Sequence, residues 1–504
     1  ILNSRKNAYV ATANEFVDGL RMMMLTDASL LPTNEESKCV PISDIKLEKG
    51  SNTKSPFGKK YASDSKVCVK YEESKKDYTY SVCLIDEGGN GLSSNDVLNL
   101  SKSDVKIGDA NCSENEIDVS EYDEFHGVNK PKLIIGMTPI IWNGSDWIET
   151  TKNNPNWYNY NSKQWANAKT EDGSMWVWIP RFIYTIKSGW HSSSEGNIEI
   201  QFSKNFDDDW NSNVIGNIET DKTANSSNNK WTNHPAFTFG ETELTGFWIA
   251  KFEASPKTGV SNNAAGDNTP NKEIELKPNK IAWRYVAIGN AFKSTRNMEI
   301  NPIYGWGNSG EGLDTHLVKN VEWGAIVYLA KSQYGTDLYR VWTNPTSQFI
   351  TGCAGDSEQA INTSTCINSY ETVNGVKAST TGNIYGVYDM VGGSWEMVMG
   401  NYANISGASE INLLDIEDKY IDRYTQYSNI YYGDALYETS NIPKSPYCWY
   451  SILAYFPTSK DPWFYRGGGN STGFGAVLFV FKEYDGGPYI WYGFRPTLLI
   501  NESL

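Results

Sequence analysis

Seven cysteines and four histidines are the side chains of this 504-residue chain best suited to hold a metal or attack a substrate. Cys39, Cys68, Cys83, Cys112, Cys353, Cys366 and Cys448 contain no C-x-x-C pair, and His126, His191, His234 and His316 stand far apart. Zinc-site spacing is therefore missing. Gly305-Trp-Gly-Asn-Ser-Gly310 satisfies G-x-G-x-x-G, but Pro302 precedes it and Glu311-Gly-Leu-Asp follows, where a dinucleotide site needs a strand and a helix; it reads as a turn. Asp207-Asp-Asp209 lacks the spaced ligands of a calcium loop and reads as a solvated segment. No metal ligand and no cofactor is expected, structural calcium being the alternative left open. There is no G-x-S-x-G elbow, and 60 acidic residues let a carboxylate pair be drawn anywhere, so no catalytic residue is assigned.

The cysteines suit disulfides better. Lys66–Tyr71 and Tyr78–Leu84 read as two strands around a polar turn, and a hairpin centred near residue 75 sets Cys68 almost opposite Cys83. Cys353 and Cys366 close a short Ser/Thr/Asn-rich loop. Cys39 with Cys112 would make a third bridge and leave Cys448 unpaired. Reduced cysteines packed as small apolar residues are the alternative, but the polar loops between them resemble those of secreted proteins.

These residues need a large scaffold. The length is about three times a ~150-residue domain, and 18 Trp, 31 Tyr and 18 Phe against 21% charged residues exclude a disordered or coiled-coil chain. A net charge of -16 without a dense basic tract makes nucleic acid a poor partner. No run approaches the ~18 apolar residues of a membrane span. Tyr9, Val10, Ala13, Phe16, Val17, Leu20, Met23 and Met24 recur at three and four, which predicts an amphipathic helix from residue 1 to about 25. Strand-like runs follow at Cys39–Leu47, Lys66–Tyr71 and Tyr78–Ile85, and the acidic stretch 114–124 places a boundary near 125. Beyond it come short aromatic strands, such as 175–179, 246–252 and 474–481, with one further helix at Val321–Gln333. The Ser/Asn/Gly/Pro-rich tract Ser255–Pro278 reads as an exposed loop.

The opening Ile1-Leu-Asn-Ser-Arg-Lys-Asn-Ala-Tyr-Val-Ala-Thr-Ala-Asn-Glu-Phe-Val-Asp-Gly-Leu-Arg21 resembles the second half of the long N-terminal helix of type IV pilins and type II secretion pseudopilins. The resemblance covers roughly residues 1 to 120. It implies a helix packed under a small sheet, other pilin subunits as partners, and membrane anchoring only through a hydrophobic segment preceding Ile1, with Arg5 and Lys6 near the polar interface.

The second part resembles the formylglycine-generating-enzyme type of C-type lectin fold. Four blocks occur in that family's order: Leu244-Thr-Gly-Phe-Trp-Ile-Ala-Lys-Phe-Glu253, Leu317-Val-Lys-Asn-Val-Glu-Trp-Gly-Ala325, Thr381-Gly-Asn-Ile-Tyr-Gly-Val-Tyr-Asp-Met-Val-Gly-Gly-Ser-Trp-Glu396, and Arg466-Gly-Gly468 with Gly493-Phe-Arg-Pro496. The enzyme's two reactive, copper-binding cysteines fall between the last two motifs, where this chain has none. Without a thiolate as ligand and reductant the oxidase activity does not carry over. The resemblance implies the fold without its enzyme.

Trp463–Gly468 through Pro496 also resembles the variable region of proteins diversified by retroelements, which display a binding surface on this lectin-like fold. From Ala476 to Lys482, Phe479 and Phe481 share one face and Leu478, Val480 and Lys482 the other, predicting a strand with one core face and one displayed face. Asn470, Thr472, Phe474, Glu483, Asp485, Tyr489 and Trp491 stand beside it in Gly-rich loops with the Tyr, Trp, Asn and Ser content of adaptable paratopes. Tyr450–Leu453 forms a neighbouring rim, and Arg466 and Arg495 belong to the scaffold.

The expected class is α+β: a pilin-like helix with a small antiparallel sheet over 1–125, then a large irregular C-type-lectin-like domain of short strands and few helices over 126–504. The expected role is a non-catalytic extracellular subunit that carries an adhesive surface on a pilus and binds a protein or glycan ligand. A structural pilin without specific ligand and a formylglycine-generating-type oxidase are the alternatives.

Overall fold

The computed structural model describes all residues except 1, 33–36, 73–75, 95–96, 98–99, 109, 111, 113–121, 205–230, 258–267, 307–311, 426–431 and 501–504. Asp207–Asp209, most of the acidic stretch 114–124, the end of the 305–310 glycine motif and the middle of 255–278 lie outside the described residues. The chain divides into two units, Ile1–Ser120 and Glu121–Leu504, with the division five residues before the expected boundary.

In the first unit the 3.6-residue apolar period produces one helix, Leu2–Met24, whose buried side is Tyr9, Ala13, Phe16, Val17, Leu20 and Met24. It packs with an antiparallel sheet in the order Lys38–Pro41, Lys66–Glu72, Asp77–Ile85, Gly91–Ser94. The Tyr9 hydroxyl donates to the Asn90 carbonyl across this core at 2.7 Å. At Gly19 a Cβ would stand 2.7 Å from Ile45 Cγ2 and 2.8 Å from the Lys46 carbonyl, so only glycine lets the chain pass this close. The first two turns have no apolar stripe, and Asn3, Ser4, Arg5, Asn7 and Ala8 are exposed. The expected strand 39–47 ends at Pro41 and continues as a 3-10 turn, Ile42–Asp44.

Three disulfides are present, the bonds of an extracellular, oxidising environment. Cys353–Cys366 is the expected pair, and Cys448 is free and buried. The other two differ from expectation: Cys39 bonds Cys68 and Cys83 bonds Cys112. The hairpin pairs Glu72 with Asp77, so Cys68 stands opposite Ser81, while Cys39 of the neighbouring strand lies directly opposite Cys68. Pairing Cys68 with Cys83 needs a hairpin centre at about 75.5, and the observed register is centred one residue earlier, which moves the partner by two residues to Ser81 because register shifts twice as fast as the centre.

The second unit is built on a seven-stranded antiparallel sheet in the order Leu313–Leu317, Pro496–Ile500, Gly246–Ala250, Met175–Pro180, Asn167–Lys169, Thr138–Trp142, Trp147–Glu149. Met175–Pro180 and Gly246–Ala250 are buried on both faces, which is why their sequences are continuously apolar. A second sheet centres on Trp395–Tyr402, flanked by Asp422–Tyr424 and by Trp463–Arg466, which in turn pairs with Phe481–Tyr484. Every residue of helix Asn320–Ala330 is buried, including the polar ones. A helix the sequence did not announce, Ile288–Asn297, carries Gly289, Asn290, Ser294 and Thr295 on buried positions. The described ends of 255–278 form a buried strand pair, Ser255–Pro256 with Ile274–Glu275, rather than an exposed loop. The expected strand 474–481 is likewise absent: Gly473–Gly475 is a 3-10 turn, and strand pairing starts only at Phe481. No helix among the described residues is long and apolar enough to cross a membrane.

His316 is fully buried between two carboxylates, Nδ1 2.7 Å from Asp314 Oδ1 and Nε2 2.8 Å from Glu322 Oε1. Burial opposes its charge, but Glu322 and Asp314 together hold the imidazole up at about 9. Asp434, raised by burial to about 8, titrates with the same sign. A folded pKa above the unfolded ~6.5 gives stability that is complete below that value and lost as pH rises through 9, on the order of 3 kcal/mol for His316. Melting temperature of the second unit should therefore fall between pH 6 and pH 9.5; a flat or rising profile would show that His316 is neutral. In the first unit, Phe16→Ala should cost about 3–5 kcal/mol, whereas Ser4→Ala should stay within about 0.5 kcal/mol, as read by chemical denaturation.

Candidate functional site

Two buried arginines shape the C-terminal blocks. Arg495 is fully buried and donates Nε to Glu396 Oε2 at 2.6 Å, Nη1 to the Ala250 carbonyl at 3.0 Å and Nη2 to the Tyr388 carbonyl at 2.9 Å, with a further contact to Glu396 Oε1. Arg466, also fully buried, donates Nε to the Val480 carbonyl at 3.0 Å, Nη1 to Asn320 Oδ1 and the Asp434 carbonyl, and Nη2 to the Ala435 carbonyl. Gly467 and Gly468 turn the chain with φ of 82° and 86°, and a Cβ on Gly467 would stand 2.5 Å from the Met390 carbonyl.

That tether corrects the expected display strand. With its carbonyl bound to Arg466, the 476–480 segment is drawn inward, and Leu478 and Val480 are 3% and 0% exposed. Neither presents a surface. Asn470 is also buried, donating Nδ2 to the Thr346 carbonyl at 3.2 Å and to Asn362 Oδ1 at 3.3 Å. Thr472 Oγ1 accepts from the Gly469 amide. Lys482 and Glu483 are half-buried, the former over the Tyr455 ring and the latter with its carboxyl raised by burial. Asp485 Oδ2 accepts from the Tyr489 hydroxyl at 2.8 Å.

What remains outside is aromatic. Phe474 is 50% and Trp491 52% exposed, with Tyr489 and Ile490 close behind. The loop bearing the last three is pinned by backbone: the Tyr285 amide donates to the Tyr489 carbonyl, Arg284 Nη1 to the Ile490 carbonyl at 2.7 Å, and the Trp395 amide to the Trp491 carbonyl. Arg340 lies under Phe474, 3.6 Å from the ring centroid, and donates to the carbonyls of Phe474 and Tyr450. Tyr339, 60% exposed, meets the Tyr450 ring edge-on at 5.0 Å. Tyr285 and Tyr450 hold positive φ of 57° and 68°, uncommon for aromatic residues and a form of strain that concentrates at functional sites. Tyr285, Tyr339 and Arg340 come from sequence far from the C-terminal blocks, and their only signal in the sequence is aromatic and basic character.

The buried Cys448 thiol is pushed up to about 12 by desolvation, far from the thiolate a nucleophile or copper ligand needs. Among the described residues no three His, Cys, Asp or Glu side chains converge as a metal site. The chain matches no protein-family model and no curated protein sequence. Leu478→Ala should lower stability by about 2–5 kcal/mol, while Trp491→Ala should change it by no more than about 0.5 kcal/mol; equal losses in thermal melts would show that Trp491 is part of the core.

Proposed function

We propose that this chain is a non-catalytic, extracellular pilin-like subunit whose large unit carries an adhesive surface. The first unit is the assembly part: its helix presents a polar, exposed N-terminal stretch and an apolar stripe covered by a four-stranded sheet, the division of labour of the pilins it resembles. The large unit is a lectin-like scaffold of the formylglycine-generating type, without that family's paired cysteines. Its ligand face consists of Phe474, Tyr489, Ile490 and Trp491, joined by Tyr285, Tyr339 and Tyr450; Asn470, Leu478 and Val480 belong to the support beneath.

The observation that carries this reading is the exposure of large apolar side chains on loops whose carbonyls are held by Arg284 and Arg340. Rigid, half-exposed aromatic groups lose little entropy on contact and supply much area, which favours their use at binding faces. Half of each of the Phe474 and Trp491 side chains is exposed, which suits the positions that the retroelement resemblance would diversify. Copies repeated along a filament would sum weak contacts into avidity.

Two measurements test the proposal. Antibodies to the large unit should decorate filaments sheared from producing cells in electron micrographs; label confined to free protein would remove the pilin assignment. Cells carrying the triple change Phe474→Ala, Tyr489→Ala and Trp491→Ala should assemble filaments normally and lose attachment. Unchanged attachment would leave a filament subunit without a specific ligand.

A further inference from the structure

A cavity of about 650 Å3 in the second unit is lined by none of the exposed aromatic-loop residues. Its walls come from three places: the tight hairpin Thr238–Phe239/Thr242–Glu243, the end of helix Ile288–Asn297 with Glu299 and Asp314, and the 3-10 turn Asp418–Tyr420. Volumes of this size are typical of small-ligand sites.

The lining chemistry narrows the ligand. Five carboxylates, Glu241, Glu299, Asp314, Glu417 and Asp418, face two cations, Arg296 and Lys419. Both cations are already committed. Arg296 donates Nη1 to Asp314 Oδ2 at 2.7 Å and Nη2 to Glu299 Oε1 at 2.9 Å, and Lys419 Nζ sits 3.1 Å from Glu417 Oε2. Asp418 meets Arg423, and Asp314 also accepts from the Tyr420 hydroxyl. Glu241 is exposed at the rim and has no hydrogen bond or ion pair within the described residues. With Arg423 on Asp418 and the His316 imidazolium on Asp314, four cations meet four of the five carboxylates and Glu241 is the one left over, so an anion would meet like charge at the rim, and a purely apolar ligand would desolvate these groups without replacing their contacts.

The aromatic walls favour the same sign of charge. The chain's own cations lie against them: Lys419 Nζ is 5.1 Å from the Tyr420 ring centroid and 5.6 Å from that of Phe239, and the Arg296 guanidinium is 4.5 Å from Tyr420. Lys419 is partly exposed and reaches in from the rim, occupying the place a ligand cation would take.

We propose that this cavity is a second binding site, specific for an organic cation such as the guanidinium of a basic peptide side chain, which enters by displacing the Lys419 ammonium and pairs with Glu417 and Glu241. The site is independent of the aromatic loops, so it stands or falls apart from the adhesive reading. The test uses the full chain and N-acetyl-arginine amide, with the neutral isostere N-acetyl-citrulline amide as control, by calorimetric titration at physiological salt. The arginine amide should bind saturably and the citrulline amide should not. Glu241→Gln with Glu417→Gln should weaken binding about fivefold, equivalent to ~1 kcal/mol. Lys419→Met should strengthen it by a similar factor, a gain that general destabilisation cannot produce. Absence of saturable binding, equal binding of citrulline amide, or an affinity unchanged in both variants would overturn the proposal.

Discussion

The second unit depends on the burial of Arg495 against Glu396. A guanidinium and a carboxylate removed from water cost several kcal/mol each, and only near-complete pairing offsets this. Arg495 meets the demand with both Glu396 oxygens and two backbone carbonyls, Ala250 and Tyr388. Those partners belong to the main sheet, to the segment before Asp389 and to the strand Trp395–Tyr402, so one side chain fixes the meeting of both sheets. Pro496–Ile500 follows directly and runs between Gly246–Ala250 and Leu313–Leu317, which makes the last strand a central one. Nearby Glu253 accepts from the Ser394 amide and hydroxyl, and burial raises its carboxyl, with Glu396 and Asp389 adding to the effect.

Arg466 extends the same device to the loops. By holding the Val480, Asp434 and Ala435 carbonyls it anchors two chain passages, at 480 and at 434–435, that have no regular pairing of their own. The loops that carry the exposed Phe474 and Trp491 are held in a similar way, by Arg340 on the Phe474 carbonyl and Arg284 on the Ile490 carbonyl. The carboxylate-lined cavity differs: Arg296 and His316 together meet Asp314 and Glu299, and the exposed Glu241 at the rim is the carboxylate without an ion pair among the described residues.

Sequence patterns disclosed the elements whose burial is one-sided or complete. The first helix was legible because Tyr9, Ala13, Phe16 and Leu20 follow the helical period, and the strands 175–180 and 246–250 because both faces are apolar. Helix Ile288–Asn297 was not legible, because its buried side carries Gly289, Asn290 and Ser294, whose burial is satisfied by distant partners such as Glu410. The segment 476–480 misled for a converse reason: alternating large apolar residues look like a strand with two faces, yet the segment packs wholly into the core, with Arg466 and the Trp323 indole donating to its Val480 and Leu478 carbonyls. Disulfide partners required a register known to within one residue, which turn composition does not supply. In the candidate site, Phe474 and Tyr489–Trp491 could be read from their Gly-rich surroundings, whereas Tyr285, Tyr339 and Arg340 are brought there only by the tertiary fold.

The central claim is that support and contact are carried by separate residues of the C-terminal blocks. The most direct measurement is a saturation scan of residues 466–496 read in parallel for folded yield and for attachment. The two readouts should part at Phe474, Tyr489, Ile490 and Trp491, where folding persists and attachment fails, and should fall together at Arg466, Leu478, Val480 and Arg495. Attachment that tracks folded yield at every position would contradict the claim.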